Sequence, residues 1–529
     1  MWRKRARPYG APDGRSCHHR LPAPQNACTS ARRNNGLIQA TTPITRAPIA
    51  RDRPEGTARA GRPTRVLEVL GALGLLGVLS SVFLLTAGAA TRPSTFVPAR
   101  SGGWPGWMAG PLRGLDVGLT PNSFQVYMLI MSASYVLVLI ASRALPTRAL
   151  AGTIVAANVI LLLGPPLISQ DVFGYVAFAR MGGLHGLDPY THVAAEAFTD
   201  PVYPFVGWPF KHSPYGALFT LSSYAVAPLG IAGALWAFKG LAVASSLAAV
   251  ALITRAAGRL GSSRRWAAAF VGLNPVLLVL AVGGAHNDTL ILLVFAVALA
   301  LTAGSSVRFR AAAATLVAGV GIKVTAGLLL PFLVLAAPRR ERLAALASAG
   351  VSLLALGALA LIGFGSHALG FLNAVGEQQQ LVATHSIPAE TARLVGLTGT
   401  PTWWRHLFVA GFIAVLAIEL WRTARGADWR AAAGWTTLAL LLSTAWLLPW
   451  YAVWLLPLAA VSHDRRLRAA TLLFCAYAVL IHLQLADAVL SPHNTRISYH
   501  VHTAIPGLRH GLELTGFEVL HNVQLDLRW

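Results

Sequence analysis

Apolar runs of about 20 residues, the length an α-helix needs to cross the hydrocarbon of a bilayer, recur from residue 66 to residue 486. In lipid the backbone must satisfy its own hydrogen bonds, which leaves helices as the spanning elements for runs of this kind. The expected fold is therefore all-α, a polytopic integral membrane protein. With 55% hydrophobic and only 12% charged residues in 529, soluble enzyme folds are excluded for the bulk of the chain. The net charge of +23 resembles a nucleic-acid signal, but residues 1–65 carry 14 Lys/Arg against three Asp/Glu, a net +11. Nearly half of the basicity thus lies outside the apolar region, and no nucleic-acid partner is expected. Residues 1–65 have no periodic apolar positions with which to build a core and are read as a disordered basic cytoplasmic tail. The run from Val66 to Ala89 is long enough to be a retained helix and not a cleaved signal. Cys17, Cys28 and Cys475 form no even-numbered framework of disulfides.

Orientation is set by Lys and Arg near the membrane segments, which stay in the cytoplasm. Six Arg clusters mark that side: Arg143/Arg148, Arg255/Arg259/Arg264/Arg265, Arg308/Arg310, Arg339/Arg340/Arg342, Arg422/Arg425/Arg430 and Arg465/Arg466/Arg468. They share one side only if residues 214–229 and 311–336 each leave on the side they came from, as re-entrant or half-length helix pairs. Pro228, Gly230, Gly319 and Gly321 supply the breaks. About eleven full crossings follow, near 66–89, 123–142, 149–167, 231–254, 266–284, 288–304, 343–364, 402–421, 431–448, 450–462 and 469–486, with residues 487–529 an external tail. The unusual polar residues then sort to the external end. A transporter would place polar groups near the midplane in related halves, and the sequence shows no clear repeat, so chemistry at one membrane face fits better.

The external segment after the third crossing reads Ser169-Gln170-Asp171, then Tyr175, Phe178 and Arg180, then Gly186-Leu187-Asp188-Pro189-Tyr190, and ends in Lys211-His212-Ser213-Pro214-Tyr215-Gly216. Spacings of four and seven place Tyr175 and Phe178 on one helical face with Asp171. A carboxylate against aromatics suits general-base chemistry on a sugar hydroxyl; an Asp there is equally a helix N-cap. Lys323 lies in an apolar stretch, where an ammonium is costly and marks a functional candidate, although a snorkelling Lys is the alternative. Lys239, without a motif, reads as snorkelling or structurally paired. His286-Asn287-Asp288 joins two crossings by a very short link. Sugar or phosphate contact, a capped turn and metal ligation are its alternatives, without a His-Glu-x-x-His helix or a cysteine pair to favour the metal. Trp450-Tyr451 suits stacking on a sugar, yet Trp and Tyr belong at interfaces in any membrane protein. Arg180 is a candidate phosphate ligand or the partner of an acid in the same loop. Lys211 and His212 are candidate phosphate ligands or ordinary interfacial charges. Gln378-Gln379-Gln380 beside Glu377 is a candidate acceptor groove.

Together these pieces, with Ala285-His286-Asn287-Asp288-Thr289, Gly321-Ile322-Lys323-Val324-Thr325-Ala326 and Leu448-Pro449-Trp450-Tyr451, resemble the C-type (GT-C) glycosyltransferases that use polyprenyl-phosphate sugars. The likeness is strongest to the actinobacterial polyprenol-phosphomannose-dependent α-mannosyltransferases of lipomannan assembly. It covers about 66 to 486, roughly four fifths of the chain. It implies an inverting transferase of the bacterial plasma membrane, active on the external face. The donor would be a polyprenyl-phosphate sugar, with mannose the expected sugar, and the acceptor a glycan or glycolipid. Asp171 is then the base. Lys323, Arg180, Lys211 and His212 are the candidate donor-phosphate ligands, and Tyr175, Asp188, Tyr190, Tyr215, His286, Asn287, Asp288, Trp450 and Tyr451 the candidate sugar or acceptor contacts. Membrane lipids are the surroundings; no metal and no cofactor are expected. A lipid-linked sugar flippase or another transporter is the alternative, favoured if Asp171 and Lys323 lie far apart while a polar path crosses the bilayer, and a non-catalytic envelope-assembly partner is a third reading. Departures from the family pattern are the long basic tail and the absence of a tight Asp-x-Asp.

Overall fold

A computed structural model describes residues 62–91, 105–304 and 307–483. These fall in the second of two units into which the chain divides, residues 60–529. The expected basic tail, except its last few residues, and the expected external tail lie outside the described residues. Among the described residues there are eighteen α-helices and no strand.

The first three are α1 (Arg62–Thr91), α2 (Gly106–Ala109) and α3 (Pro121–Ala141). α4 (Thr147–Leu163) stops at Gly164 because Pro165 and Pro166 cannot continue its ladder, and α5 (Asp171–His185) follows. α6 (Ala217–Ser223) passes through a 3-10 turn into α7 (Gly230–Arg259). α8 (Arg264–Gly272) is broken before Pro275 and resumes as a fully buried π-helix, Val276–Val282. Next come α9 (Asp288–Leu301), α10 (Phe309–Val320), α11 (Leu330–Ala336) and α12 (Arg339–Phe364). α13 (Gly370–Gln379) and α14 (Ile387–Leu394) lie between α12 and α15 (Thr402–Ala424). The described chain closes with α16 (Trp429–Ser443), α17 (Leu455–Val461) and α18 (Arg465–Leu480).

Helices stand at all eleven expected crossings, but they do not all have spanning length. Five are long and apolar enough to cross a membrane, or six if the bent pair Arg264–Gly272 and Val276–Val282 is one span. The others, such as Thr147–Leu163 and Asp288–Leu301, are shortened where Gly, Pro or a polar turn interrupts the apolar run. α12 and α15 expose large aliphatic side chains all round, Ile362 at 86% and Leu354 at 76%. A helix of that composition is stable only against an apolar medium.

Of the two stretches expected to re-enter, 311–336 is broken at Gly321 between short helices. Residues 217–229 instead form one short run that continues through Gly230 (φ +69°) into α7, so that Ala217–Arg259 is a single long apolar helix. The two stretches are pinned together. Gly216 N–H donates to Ile322 O at 3.0 Å and Phe219 N–H to Gly321 O at 3.0 Å. The approach is so close that a Cβ on Gly216 would lie 2.6 Å from the Gly321 backbone. Gly216→Ala therefore forces the two backbones apart, and we expect it to destabilise the protein by about 1–3 kcal/mol, read as a lower unfolding temperature in nanodiscs; an unchanged temperature would show that the contact is slack.

Lys239, completely buried on α7, donates to Leu161 O at 2.9 Å and Pro165 O at 3.4 Å. It thus satisfies carbonyls at the C-terminus of α4, where a cation is favoured by the helix dipole. Of its two expected readings the structure takes the paired one, and the paired Lys anchors the segment leading to Asp171.

Candidate active site

Asp171 is the first residue of α5, and the helix starts on Gln170 without a side-chain cap bond. The capping reading of Asp171 therefore finds no support in the geometry. Its half-buried carboxylate instead faces His286, with Oδ2 3.4 Å from Nδ1. The approach to Asp171 is shaped by Ile168, held at φ +67°, and tied down by Leu167 N–H donating to Gly283 O at 2.9 Å.

The same tie fixes the opposite wall. The π-helix hands over to a Gly283-Gly284 turn in which Ala285 adopts φ +55°, a costly conformation for a residue with a Cβ. His286 N–H donates to Ala281 O at 2.9 Å, and a Cβ on Gly284 would lie 2.5 Å from the imidazole. π-Bulges and strained residues of this kind concentrate at functional sites. The His286 ring lies flat on Trp450, centroids 3.7 Å apart at 20°. Neither ring nitrogen has a hydrogen-bond partner among the described residues, although both are buried. The 3.4 Å approach to Asp171 is thus an electrostatic contact without hydrogen-bond alignment.

Two residues on, buried Asp288 accepts at Oδ1 from Lys323 Nζ (2.9 Å) and from Trp454 Nε1 (2.8 Å), while Oδ2 has no partner. The Lys323 ammonium lies 4.3 Å from the Tyr451 ring centre and 5.2 Å from that of Trp454, a cation over two aromatic faces. It is directed at Asp288, not stretched toward an interface as snorkelling requires. The Asn287 amide group is buried with both polar atoms unpartnered, and Ser213 Oγ and Thr325 Oγ1 are in the same condition. Buried polar atoms are ordinarily bonded, so the unpartnered atoms of the consecutive residues His286, Asn287 and Asp288 mark a place for a polar ligand.

Tyr175 links the two walls. Its hydroxyl accepts from Asn287 N–H at 3.4 Å, and its ring packs edge-on against Tyr215 at 5.1 Å. Burial pushes the Tyr175 hydroxyl well above the usual tyrosine range, and the charges of Asp171 and then Asp288 push it further. Tyr215 is raised by burial and by Tyr175 and Asp171. Both hydroxyls stay protonated, and that of Tyr215 donates to that of Tyr175, which leaves the Tyr175 hydroxyl as the free donor.

Other expected site residues are engaged in pairs of their own. Arg180 donates from Nε to both oxygens of Asp200 (2.9 and 3.0 Å), and His185 Nε2 lies 2.6 Å from Oδ2. Burial alone would raise the Asp200 carboxyl, but these bonds and the Val202 amide hold it below the usual range. Asp188 contacts His367 at 3.2 Å and accepts from Tyr190 N–H at 2.8 Å. The buried Tyr190 hydroxyl donates to Tyr215 O at 2.8 Å. His212 Nδ1 lies 2.9 Å from Glu377 Oε1, so residues 186–216 and 365–380 are joined by two His–carboxylate pairs. Lys211 is half-buried. Trp454 escaped sequence reasoning, although its spacing from Trp450 and Tyr451 puts all three on neighbouring faces of one helical turn. His367 and Asp200 left no local signal.

Among the described residues no three of His, Cys, Asp and Glu come together as a metal site requires. The cluster holds a carboxylate beside an imidazole, a second carboxylate beside an ammonium, and unpartnered polar atoms between. Such a set can take a proton from a hydroxyl, hold an anion and bind a polyol.

Residues 70–339 match the family described as alpha-(1->6)-mannopyranosyltransferase, N-terminal domain. Alpha-(1->6)-mannopyranosyltransferase A of Mycobacterium tuberculosis is 32% identical over 352 residues, 59% of this chain and 64% of the relative. The protein of the same name from Corynebacterium glutamicum is 29% identical over 187 residues, 34% of this chain and 37% of the relative. The chain thus spans less than two thirds of the length of these relatives. No solved structure matches it. Asp171, His286, Asp288 and Lys323 all lie inside the matched region, which covers half of the sequence, and the chain belongs to the alpha-(1->6)-mannopyranosyltransferase family.

Proposed function

We propose that this protein is a membrane mannosyltransferase that moves mannose from a polyprenyl-phosphate donor to a hydroxyl of a glycan or glycolipid acceptor, with inversion, at the external face of an eleven-crossing domain. One observation carries the reading: Asp171, His286-Asn287-Asp288 and Lys323 form a continuous, mostly buried cluster. A flippase reading would be favoured by Asp171 and Lys323 standing apart along a polar path across the bilayer. The acceptor oxygen attacks the anomeric carbon while its proton passes to Asp171. The bond from that carbon to the phosphate oxygen breaks, and its electron pair leaves on the phosphate. Lys323, already desolvated and aimed by Asp288, meets that phosphate. Asn287 and the hydroxyls of Tyr175 and Tyr215 supply bonds to the sugar. Arg180 and His212, each with an acid, hold the loops around the site, and Lys211 remains available for the donor phosphate.

Membranes carrying the protein are expected to transfer labelled mannose to a lipid-linked or glycan product when supplied with polyprenyl-phosphate mannose, and not when supplied with GDP-mannose after the endogenous polyprenyl-phosphate mannose synthase is removed. Label incorporated from GDP-mannose alone in that background would overturn the donor assignment.

A further inference from the structure

His286 has no ordinary structural explanation. It is completely buried, it has no hydrogen-bond partner at either nitrogen among the described residues, and it is held at its position by a strained Ala285 and by Gly284, where any side chain would push the imidazole aside. A core histidine would bond a carbonyl or hydroxyl; this one is aimed at the carboxylate of Asp171 and laid on the face of an indole. We infer that His286 is the positioning partner of Asp171 that takes over the acceptor's proton, returning Asp171 to its basic form within each turnover.

The inference rests on the reading of Asp171 as the base. In the transfer the acceptor O–H bond breaks, the oxygen bonds to the anomeric carbon, and the proton arrives on Asp171. A neutral imidazole nitrogen can accept a proton from a neighbouring carboxyl group, and the 3.4 Å approach of Nδ1 to Oδ2 needs to close by only a few tenths of an ångström with substrate bound to bring the two within hydrogen-bond reach. No electrons are exchanged; the proton leaves later to the departed phosphate or to water. The imidazolium so formed would be costly in a buried site, and the surroundings meet that cost. Asp171 is then a carboxylate 3.4 Å away, and the Trp450 face lies at 3.7 Å, where a cation–π attraction operates. The other groups facing His286 set limits on it. Asp288, two residues on, adds negative charge that Lys323 largely balances, the Tyr175 hydroxyl stays neutral, and Tyr451 packs edge-on against Trp450. His482, beyond α18, is a further imidazole on this side of His286.

The inference makes the pH dependence specific. When His286 is protonated before substrate reacts, it cannot accept the proton and it holds Asp171 in an ion pair, so turnover falls on the acid side. The experiment measures kcat and KM against pH for protein in nanodiscs, with polyprenyl-phosphate mannose as donor and an alkyl α-mannoside as acceptor. His286→Gln is expected to lower kcat about 10- to 100-fold, a part of what proton transfer contributes, with KM and unfolding temperature unchanged and the acid limb moved to lower pH. Trp450→Leu removes the indole face that stabilises the imidazolium and should move the acid limb in the same direction with a smaller loss of kcat; it serves as the second variant if His286→Gln does not fold. Wild-type kcat in His286→Gln, or a loss of kcat with the acid limb in place in both variants, would overturn the inference. Asp171→Asn separates the two claims: if it is inactive while His286→Gln behaves as wild type, only the role of His286 fails, and if Asp171→Asn remains active the base assignment fails first.

Discussion

Asp171→Asn yields a folded protein of wild-type unfolding temperature whose transfer rate falls by a factor of about 10²–10⁴, the range that general-base assistance supplies. The substitution keeps the side chain's shape and one hydrogen-bonding oxygen while removing its basicity. Fold stability is expected to survive because α5 begins without a cap bond from this carboxylate, and its contact to His286 is electrostatic and loosely aligned. The measurement is single-turnover transfer from polyprenyl-phosphate mannose alongside thermal unfolding. A stable variant that keeps more than about a tenth of wild-type turnover would remove Asp171 from the chemistry, since no general base contributes so little.

Lys323→Met weakens donor binding by about 10- to 150-fold, the value of a charge-assisted hydrogen bond of about 1.5–3 kcal/mol, and Lys323→Arg restores part of it. The single change also strands Asp288, which is buried and bonded to the ammonium at 2.9 Å; leaving a buried charge unpaired costs about 3–5 kcal/mol. Lys323→Met combined with Asp288→Asn distinguishes the two effects. Stability should return in the double variant, whereas donor affinity should not. Titration of polyprenyl-phosphate mannose into each protein in nanodiscs reads the affinity. A double variant that binds donor as tightly as wild type would show that the ammonium serves only to neutralise Asp288, and the phosphate ligand would then be sought at Lys211.

The helical architecture was legible in the sequence because lipid leaves so few alternatives: each expected crossing has a helix, and the expected re-entrant stretch 311–336 is broken at an expected glycine. Spanning length was less legible. Apolar composition does not register that α4 stops at Gly164-Pro165 or that α9 begins inside the site at Asp288, so runs that look uniform on paper are divided in space. At the site, Asp171, His286-Asn287-Asp288 and Lys323 stood out since each is polar in an apolar setting. Which acid takes which base did not. Arg180 with Asp200, His212 with Glu377 and Asp188 with His367 are pairings across 20, 165 and 179 residues, set by how the loops fold over the helices and invisible to local spacing. Trp454 was hidden by the general abundance of aromatics at membrane surfaces, which makes an indole uninformative until its N–H is seen to meet a carboxylate.

The turn bearing Trp450 and Trp454 has a consequence for how the protein is made. The polar residues of the site lie between 171 and 323, whereas the indole on which His286 rests and the indole N–H that holds Asp288 come from residues 449–454. During synthesis the strained Ala285 turn and the acid–ammonium pair therefore emerge long before the residues that cover them. Until then Asp288 and His286 must be shielded by lipid headgroups, water or the insertion machinery. Competence is accordingly a late event in biogenesis, and a nascent chain arrested between α15 and α16 should be inserted in the membrane with its polar centre still open.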